Sequence, residues 1–208
     1  MIHIDTLLAF AAVVLGLFLI PGPAVLLVLA RSSAGGHRVG IATGLGIAAG
    51  DVVHTAMATI GLSAVLMTSA LAFNLVKYAG AAYLIYLGVR ALMEGGEDLQ
   101  LAKARRVDAP LAFRQAVIAE VLNPKTALFF LAFLPQFVHP ERGAVGAQLA
   151  VLGLVFVIMS AIYTALVALA AGRLVGWLSK RRGIGRWQNR VVGTIYLGLG
   201  VRMALQQR

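Results

Sequence analysis

Asp51 is the one formally charged residue in the 38-residue run from Val39 to Val76. On a helix it shares a face with His54 at i+3 and Thr55 at i+4. A carboxylate so placed can carry a proton, hold an ammonium group or ligate a cation. Lys125 stands among apolar residues as well, directly after Asn123-Pro124, and Glu120 precedes that tripeptide. Pro21-Gly22-Pro23 interrupts an earlier apolar run. A proline inside a helix lacks the amide hydrogen that the carbonyl four residues earlier needs. Pro21 and Pro23 therefore leave the carbonyls of Leu17 and Leu19 open, and Pro124 leaves that of Glu120 open. Each break also creates a new helix N-terminus, whose unpaired amides and partial positive charge suit a carboxylate. Candidate binding residues for an anionic group are thus Pro21, Gly22, Pro23, Asn123, Pro124 and Lys125. Asp51 and His54 are candidates for proton coupling. The plainer alternatives are a static Asp51–Lys125 ion pair, a packing role for His54, and simple kinks at the prolines. Ser160, Tyr163 and Thr164 form a further polar stripe at i, i+3, i+4, which fits either interhelical hydrogen bonds or a substrate path.

Composition says what must position these groups. Of 208 residues, 60% are apolar and 12% charged, against roughly a quarter charged in a soluble domain. Leu7–Leu29 and Gly143–Gly172 carry no charge and exceed the roughly 20 residues that cross a bilayer core. The bilayer is therefore the solvent. The Val39–Val76 run is too long for one crossing and is expected to fold back near Met67-Thr68-Ser69-Ala70, giving spans near 39–66 and 71–89. Gln115–Val138, Gly143–Gly172 and a weaker stretch near Trp187–Leu205 complete a count of six spans. The first is expected to stay in the mature protein, because no basic residue precedes it and its apolar run is too long for a signal peptide.

Basic residues set the orientation. The loops after spans 1, 3 and 5 hold 13 of the 18 Lys and Arg residues, which places those loops in the cytoplasm and both termini in the periplasm. The same residues account for the net charge of +10, so no nucleic-acid partner is implied. The absence of cysteine excludes disulfides, thiolate metal sites and cysteine nucleophiles. Gly44-x-Gly46-x-x-x-Gly50 lies inside an apolar span with no strand before it, so it is no dinucleotide loop. Gly40/Gly44 and Gly46/Gly50 instead fit close helix packing. No motif for phosphate binding or membrane hydrolysis occurs, and neither enzyme activity nor a cofactor is expected.

Leu87-Gly88-Val89-Arg90 near the end of span 3 recurs as Leu199-Gly200-Val201-Arg202 in span 6, and the proline breaks recur in spans 1 and 4. These echoes predict an all-α membrane protein forming a single transporter domain. It comprises two inverted three-helix repeats, about 1–97 and 110–208, with spans 1 and 4 broken. Pro21-Gly22-Pro23, Gly50-Asp51 with His54, and Asn123-Pro124-Lys125-Thr126-Ala127-Leu128-Phe129-Phe130 leading to Leu134-Pro135-Gln136-Phe137 resemble the LysE/RhtB family of amino-acid exporters over essentially the whole chain. The resemblance is greater to its homoserine, threonine and neutral amino-acid branch than to its basic branch. It implies a multi-pass protein of the bacterial inner membrane that exports amino acids or derivatives, with the proton motive force as energy source. On that reading the helix breaks with Lys125 take the substrate carboxylate, and Asp51 takes a proton or the substrate ammonium. The alternatives are a divalent-cation exporter using Asp51 and His54, a membrane enzyme, or a partner subunit; a homo-oligomer is left open. Single cysteines introduced into this cysteine-free chain test the topology. Positions 38, 103 and 182 should label only from the cytoplasm and position 141 only from the periplasm.

Overall fold

The computed structural model describes residues 2–19, 22–63 and 106–178, together with 78, 81–82, 85–86, 88–90, 92–93, 190, 193–194, 197–198, 200–201 and 204–205. All regular structure among them is helical: α1 (Ile4–Leu19), α2 (Pro23–Met57) continuing into a π-helical turn (Ala58–Leu62), α3 (Ala109–Val121), α4 (Pro124–Ala132) and α5 (Val145–Leu178). The Pro23–Leu62 and Val145–Arg173 stretches are long and apolar enough to cross a membrane, and α3 with α4 and the following turn makes a third candidate, bent by 49°. Span 3 and span 6 fall largely outside the described residues, as does the turn expected at 67–70.

Both expected breaks are present. α1 ends at Leu19, Gly22 is extended (φ −105°, ψ −175°), and α2 begins with Pro23. α3 ends at Val121, Asn123 is extended, and α4 begins with Pro124. In each case proline occupies the first helical position, where a missing amide costs nothing. The loop expected between Arg31 and Arg38 is reduced to one residue. Gly36, at φ 80° and ψ 178°, is non-helical within α2 and adopts a conformation that disfavours any side chain. Eight residues of straight helix rise about 12 Å, yet a Cβ on Gly40 would lie 2.9 Å from the Ser32 Cβ. The chain therefore turns back at Gly36, and α2 is two arms.

The chain divides into two compact units, Met1–Ser63 with Leu101–Gly176, and Ala64–Gln100 with Trp177–Arg208. In the first, the second arm of α2 runs between α5 and α3. Gly40 and Gly44 face Ala168 and Thr164 of α5, while Gly46 and Gly50 face Phe113, Ala116 and Glu120 of α3. The two small-residue pairs thus open two different sides of one helix to close approach. In the second unit, Gly88 faces Gly193 and Leu197, and Gly200 faces Ala81 and Ile85.

A Cβ added at Gly50 would sit 2.6 Å from that of Glu120, whereas one at Gly16 would meet nothing within 4 Å. Gly50→Ala should therefore cost about 1–3 kcal/mol by overpacking. Gly16→Ala should cost nothing or add about 0.5–1 kcal/mol. Thermal unfolding of the detergent-solubilised variants should show a lowered Tm for the first alone.

Candidate functional site

The two breaks meet through the carbonyls that proline leaves open. Lys125, in the first turn of α4, donates from Nζ to the Leu17 carbonyl at 3.2 Å, which is the acceptor that Pro21 cannot serve. A Cβ on Gly22 would approach that Nζ to 3.2 Å, so the glycine lets the lysine cross the first break. At the second break, the Glu120 carbonyl that Pro124 cannot serve accepts from the Asn123 amide at 2.9 Å and pairs with His54 Nε2 at 2.9 Å. A carbonyl only accepts, so Nε2 of His54 carries the hydrogen. The His54 ring is also stacked on Phe130 of α4, with centroids 5.8 Å apart.

The two buried carboxylates differ sharply. Glu120 is 3% exposed and fully engaged: Asn123 Nδ2 lies 3.2 Å from each of its oxygens, and the Thr126 hydroxyl donates a short bond to Oε1. Asn123 in turn caps α4, its side-chain oxygen accepting from the Lys125 amide at 3.0 Å. Asp51 is 1% exposed, and neither of its oxygens has a hydrogen-bond partner; Ser160 and Glu120 face it without closing a bond of acceptable geometry. No ion pair joins Asp51 to Lys125 among the described residues. The backbone of Asp51 is anchored instead, its carbonyl accepting from the Thr55 hydroxyl at 2.9 Å.

These groups line a cavity of about 440 Å³ of atom-free space, counting the part that opens outward. Gly22, Asp51, Glu120, Asn123 and Lys125 reach it, together with Phe18, Phe156, Ser160 and Tyr163. His54 stands behind it, holding Glu120. Pro23 and Pro124 are exposed and do not line the cavity; they act through the bonds they remove. Pro21 lies outside the described residues. Glu120 is the most bonded side chain at the site. Its partners at i+3 and i+6 straddle the break, a spacing that no helical template picks out. All three residues of the Ser160, Tyr163 and Thr164 stripe line the cavity, and Thr164 also returns its hydroxyl to the Ser160 carbonyl at 2.7 Å while receiving Gly44.

Two N-caps of the same kind allow a comparison. Asp108 caps α3 at the exposed surface, accepting from the Leu111 amide at 3.0 Å, whereas Asn123 is buried and donates to a carboxylate as well. Asp108→Ala should cost about 1 kcal/mol or less. Asn123→Ala should cost roughly 2–4 kcal/mol, since it removes a cap and strands buried partners. Paired denaturation measurements check the difference.

The LysE type translocator family matches residues 15–207. An uncharacterized membrane protein of Pseudomonas aeruginosa is 34% identical over 191 residues, covering 89% of this chain and 88% of its own. An uncharacterized membrane protein of Bacillus subtilis, YrhP, is 29% identical over 96% of this chain and 99% of its own. The leucine efflux protein of Salmonella typhimurium is 28% identical over 91% of this chain and 90% of its own. No solved structure matches. A membrane chain of apolar helices, broken at prolines near a buried Asp and Glu and a half-buried Lys, is matched over nearly its whole length, and it belongs to the LysE type translocator family.

Proposed function

We propose that this translocator is a proton-driven secondary exporter of amino acids or close derivatives across the bacterial inner membrane. The carrying observation is Lys125 Nζ on the Leu17 carbonyl, which puts one cation between two broken helices, in the cavity that Glu120 and Asp51 also line. A zwitterion offers the matching pair. Its carboxylate takes Lys125, assisted by amides at the breaks around Gly22 and Asn123, and displaces the Leu17 carbonyl. The first break is then free to move. Pro21, Pro23 and Pro124 belong to this site by keeping both breaks open.

Asp51 is the proton-coupling group in this reading. An ionised carboxylate near the bilayer centre costs roughly 2.5–3.5 kcal/mol, and Asp51 has no hydrogen bonds to offset that. It can meet the cost by holding a proton in one state and the substrate ammonium in another. His54 assists through Nδ1, the ring nitrogen not committed to Glu120. One proton crossing 100 mV supplies about 2.3 kcal/mol, equivalent to roughly a fiftyfold substrate gradient.

The six-span inverted repeat is part of the same proposal. A shift of 113 residues carries Gly40 onto Gly153 and Thr55 onto Ala168, and the contacts Gly40 to Ala168 and Gly153 to Thr55 are reciprocal. In the other unit, a shift of 112 carries Gly88 onto Gly200 and Ala81 onto Gly193, and Gly88 to Gly193 matches Gly200 to Ala81. A twofold axis relating residues 1–97 to 110–208 generates such pairs. Six spans put both termini on one side, and the basic loops on the other make that side the periplasm.

Vesicles containing the purified chain, with an imposed pH gradient, test the mechanism. Asp51→Asn should insert normally, lose uphill transport and keep exchange down a substrate gradient. Lys125→Met should raise the half-saturating substrate concentration about tenfold or more, the loss of one charge-assisted bond. Uphill transport by Asp51→Asn at the normal rate would overturn the coupling role.

A further inference from the structure

We propose that Phe10 of α1, with Phe129, Phe133 and Phe137 beyond the second break, forms an outer gate that is closed in this structure, and that the bond from Lys125 to the Leu17 carbonyl is its latch. The proposal rests on the export reading above for the direction of transport, and it adds residues that reading does not use.

α5 gives a scale along which the groups fall. Near its start, Gln148 pairs with the backbone of His139, just past Phe137, at 3.0 and 2.9 Å. Phe156 meets Phe129 and Phe18, each at 5.2 Å, and Tyr163 stacks on Phe18. Ala168 lies beside Gly40 and Ser32, next to the turn at Gly36. Phe10 precedes Leu17 by seven residues, about 10 Å of helix. It belongs to the Gln148 end, since it meets Phe137 edge to face at 5.2 Å and Phe129 at 6.1 Å. Rings therefore occupy one end, the breaks the middle and the basic turn the other end.

The cavity lies on the turn side of the rings. Its lining continues toward the turn through Val25, Ile47 and Thr164, and none of Phe10, Phe129, Phe133 and Phe137 reaches it. Phe156 is the boundary, lining the cavity while Phe129 and Phe130 pack against it. Phe10, Phe129 and Phe133 are 0%, 4% and 4% exposed, so water does not reach them. On the proposed repeat, α1 with α4 corresponds to α3 with the first arm of α2. That second pair is bridged by a water-exposed bond, Arg31 Nη2 donating to Gln115 Oε1 at 2.7 Å. A dry barrier on one side and a polar bridge that water can replace on the other suit a site facing the cytoplasm, because alternating access closes one side at a time. The latch ties the same two helices as the rings, since Leu17 is near the end of α1 and Lys125 opens α4. A substrate carboxylate that draws Lys125 off Leu17 loosens α1 from α4 and leaves the rings to part.

Because the chain has no cysteine, Val25→Cys puts a single thiol in the cavity. A charged, membrane-impermeant thiol reagent is applied to either face of membrane vesicles, and Arg38→Cys identifies the turn side. Val25→Cys should label from the face that labels Arg38→Cys, and at least about tenfold more slowly from the other, where the opposite-facing state is a minor population. Adding Phe10→Ala should raise labelling from that other face about tenfold, since losing two ring contacts shifts the opening equilibrium. Adding Lys125→Met should raise it too. Phe113→Ala, which removes an exposed ring of α3 outside the cluster, should leave it unchanged. Phe137→Ala, at the half-buried edge of the cluster, takes the place of Phe10→Ala if that variant does not elute as folded protein. Val25→Cys labelling equally from both faces or from neither, or no rise on removing a gate ring, would overturn the gate. No rise with Lys125→Met alone would overturn the latch. Either result leaves the export reading standing, and that reading fails separately if vesicles holding the wild-type chain exchange no amino acid.

Discussion

A backbone carbonyl buried away from water must find a donor, and in this chain two prolines deny that donor to Leu17 and Glu120. Each open carbonyl costs several kcal/mol in hydrocarbon, so the fold is built around supplying replacements. Each draws a donor from afar: Lys125 reaches across 108 residues to Leu17, and His54 across 66 to Glu120, whose carbonyl also accepts from the nearby Asn123 amide. The break in one helix is thus closed by a side chain from the break in another, and the second break is pinned by the helix that runs between α3 and α5. The glycines of α2 follow from the same requirement. Only with Gly46 and Gly50 against α3 can His54 come within bonding distance of a main-chain oxygen.

This bracing gives two neighbouring carboxylates unlike roles. Glu120 is surrounded by donors because it lies one residue from the end of α3, where Asn123 and Thr126 turn back toward it. Asp51 lies at mid-helix, where all backbone amides are spent. Burial without donors would be a defect in a protein that only had to be stable. On the proposed reading it leaves a group whose needs change with what occupies the cavity. Lys125 donates to a neutral carbonyl, which on the proposed reading a substrate carboxylate would replace.

Much of this was legible in the sequence. The open carbonyls follow from proline chemistry alone, and the pairing of Gly40/Gly44 and Gly46/Gly50 announced close packing, though not that the pairs face different helices. Asp51 and Lys125 stood out because charge is rare in apolar runs. The role of Glu120 is not legible in the sequence, because its bonds depend on a break that takes the chain out of helical register. His54's partner could not be read, since it is a main-chain atom on a distant helix. The turn between Arg31 and Arg38 follows from the basic residues, whereas its narrowing to Gly36 alone does not, because the helical pattern continues on both sides of that residue. Spans 3 and 6 depend on residues outside those described.

The account turns on one contact that should yield to substrate. Solid-state NMR on the chain in lipid bilayers, with ¹⁵N at Lys125 Nζ and ¹³C at the Leu17 carbonyl, reads it directly. The account predicts a strong dipolar coupling in the empty transporter, consistent with the 3.2 Å bond, which collapses when an exported amino acid is added and persists with the matching amine that lacks a carboxylate. A coupling that is absent from the empty protein, or that survives saturating substrate unchanged, would contradict it.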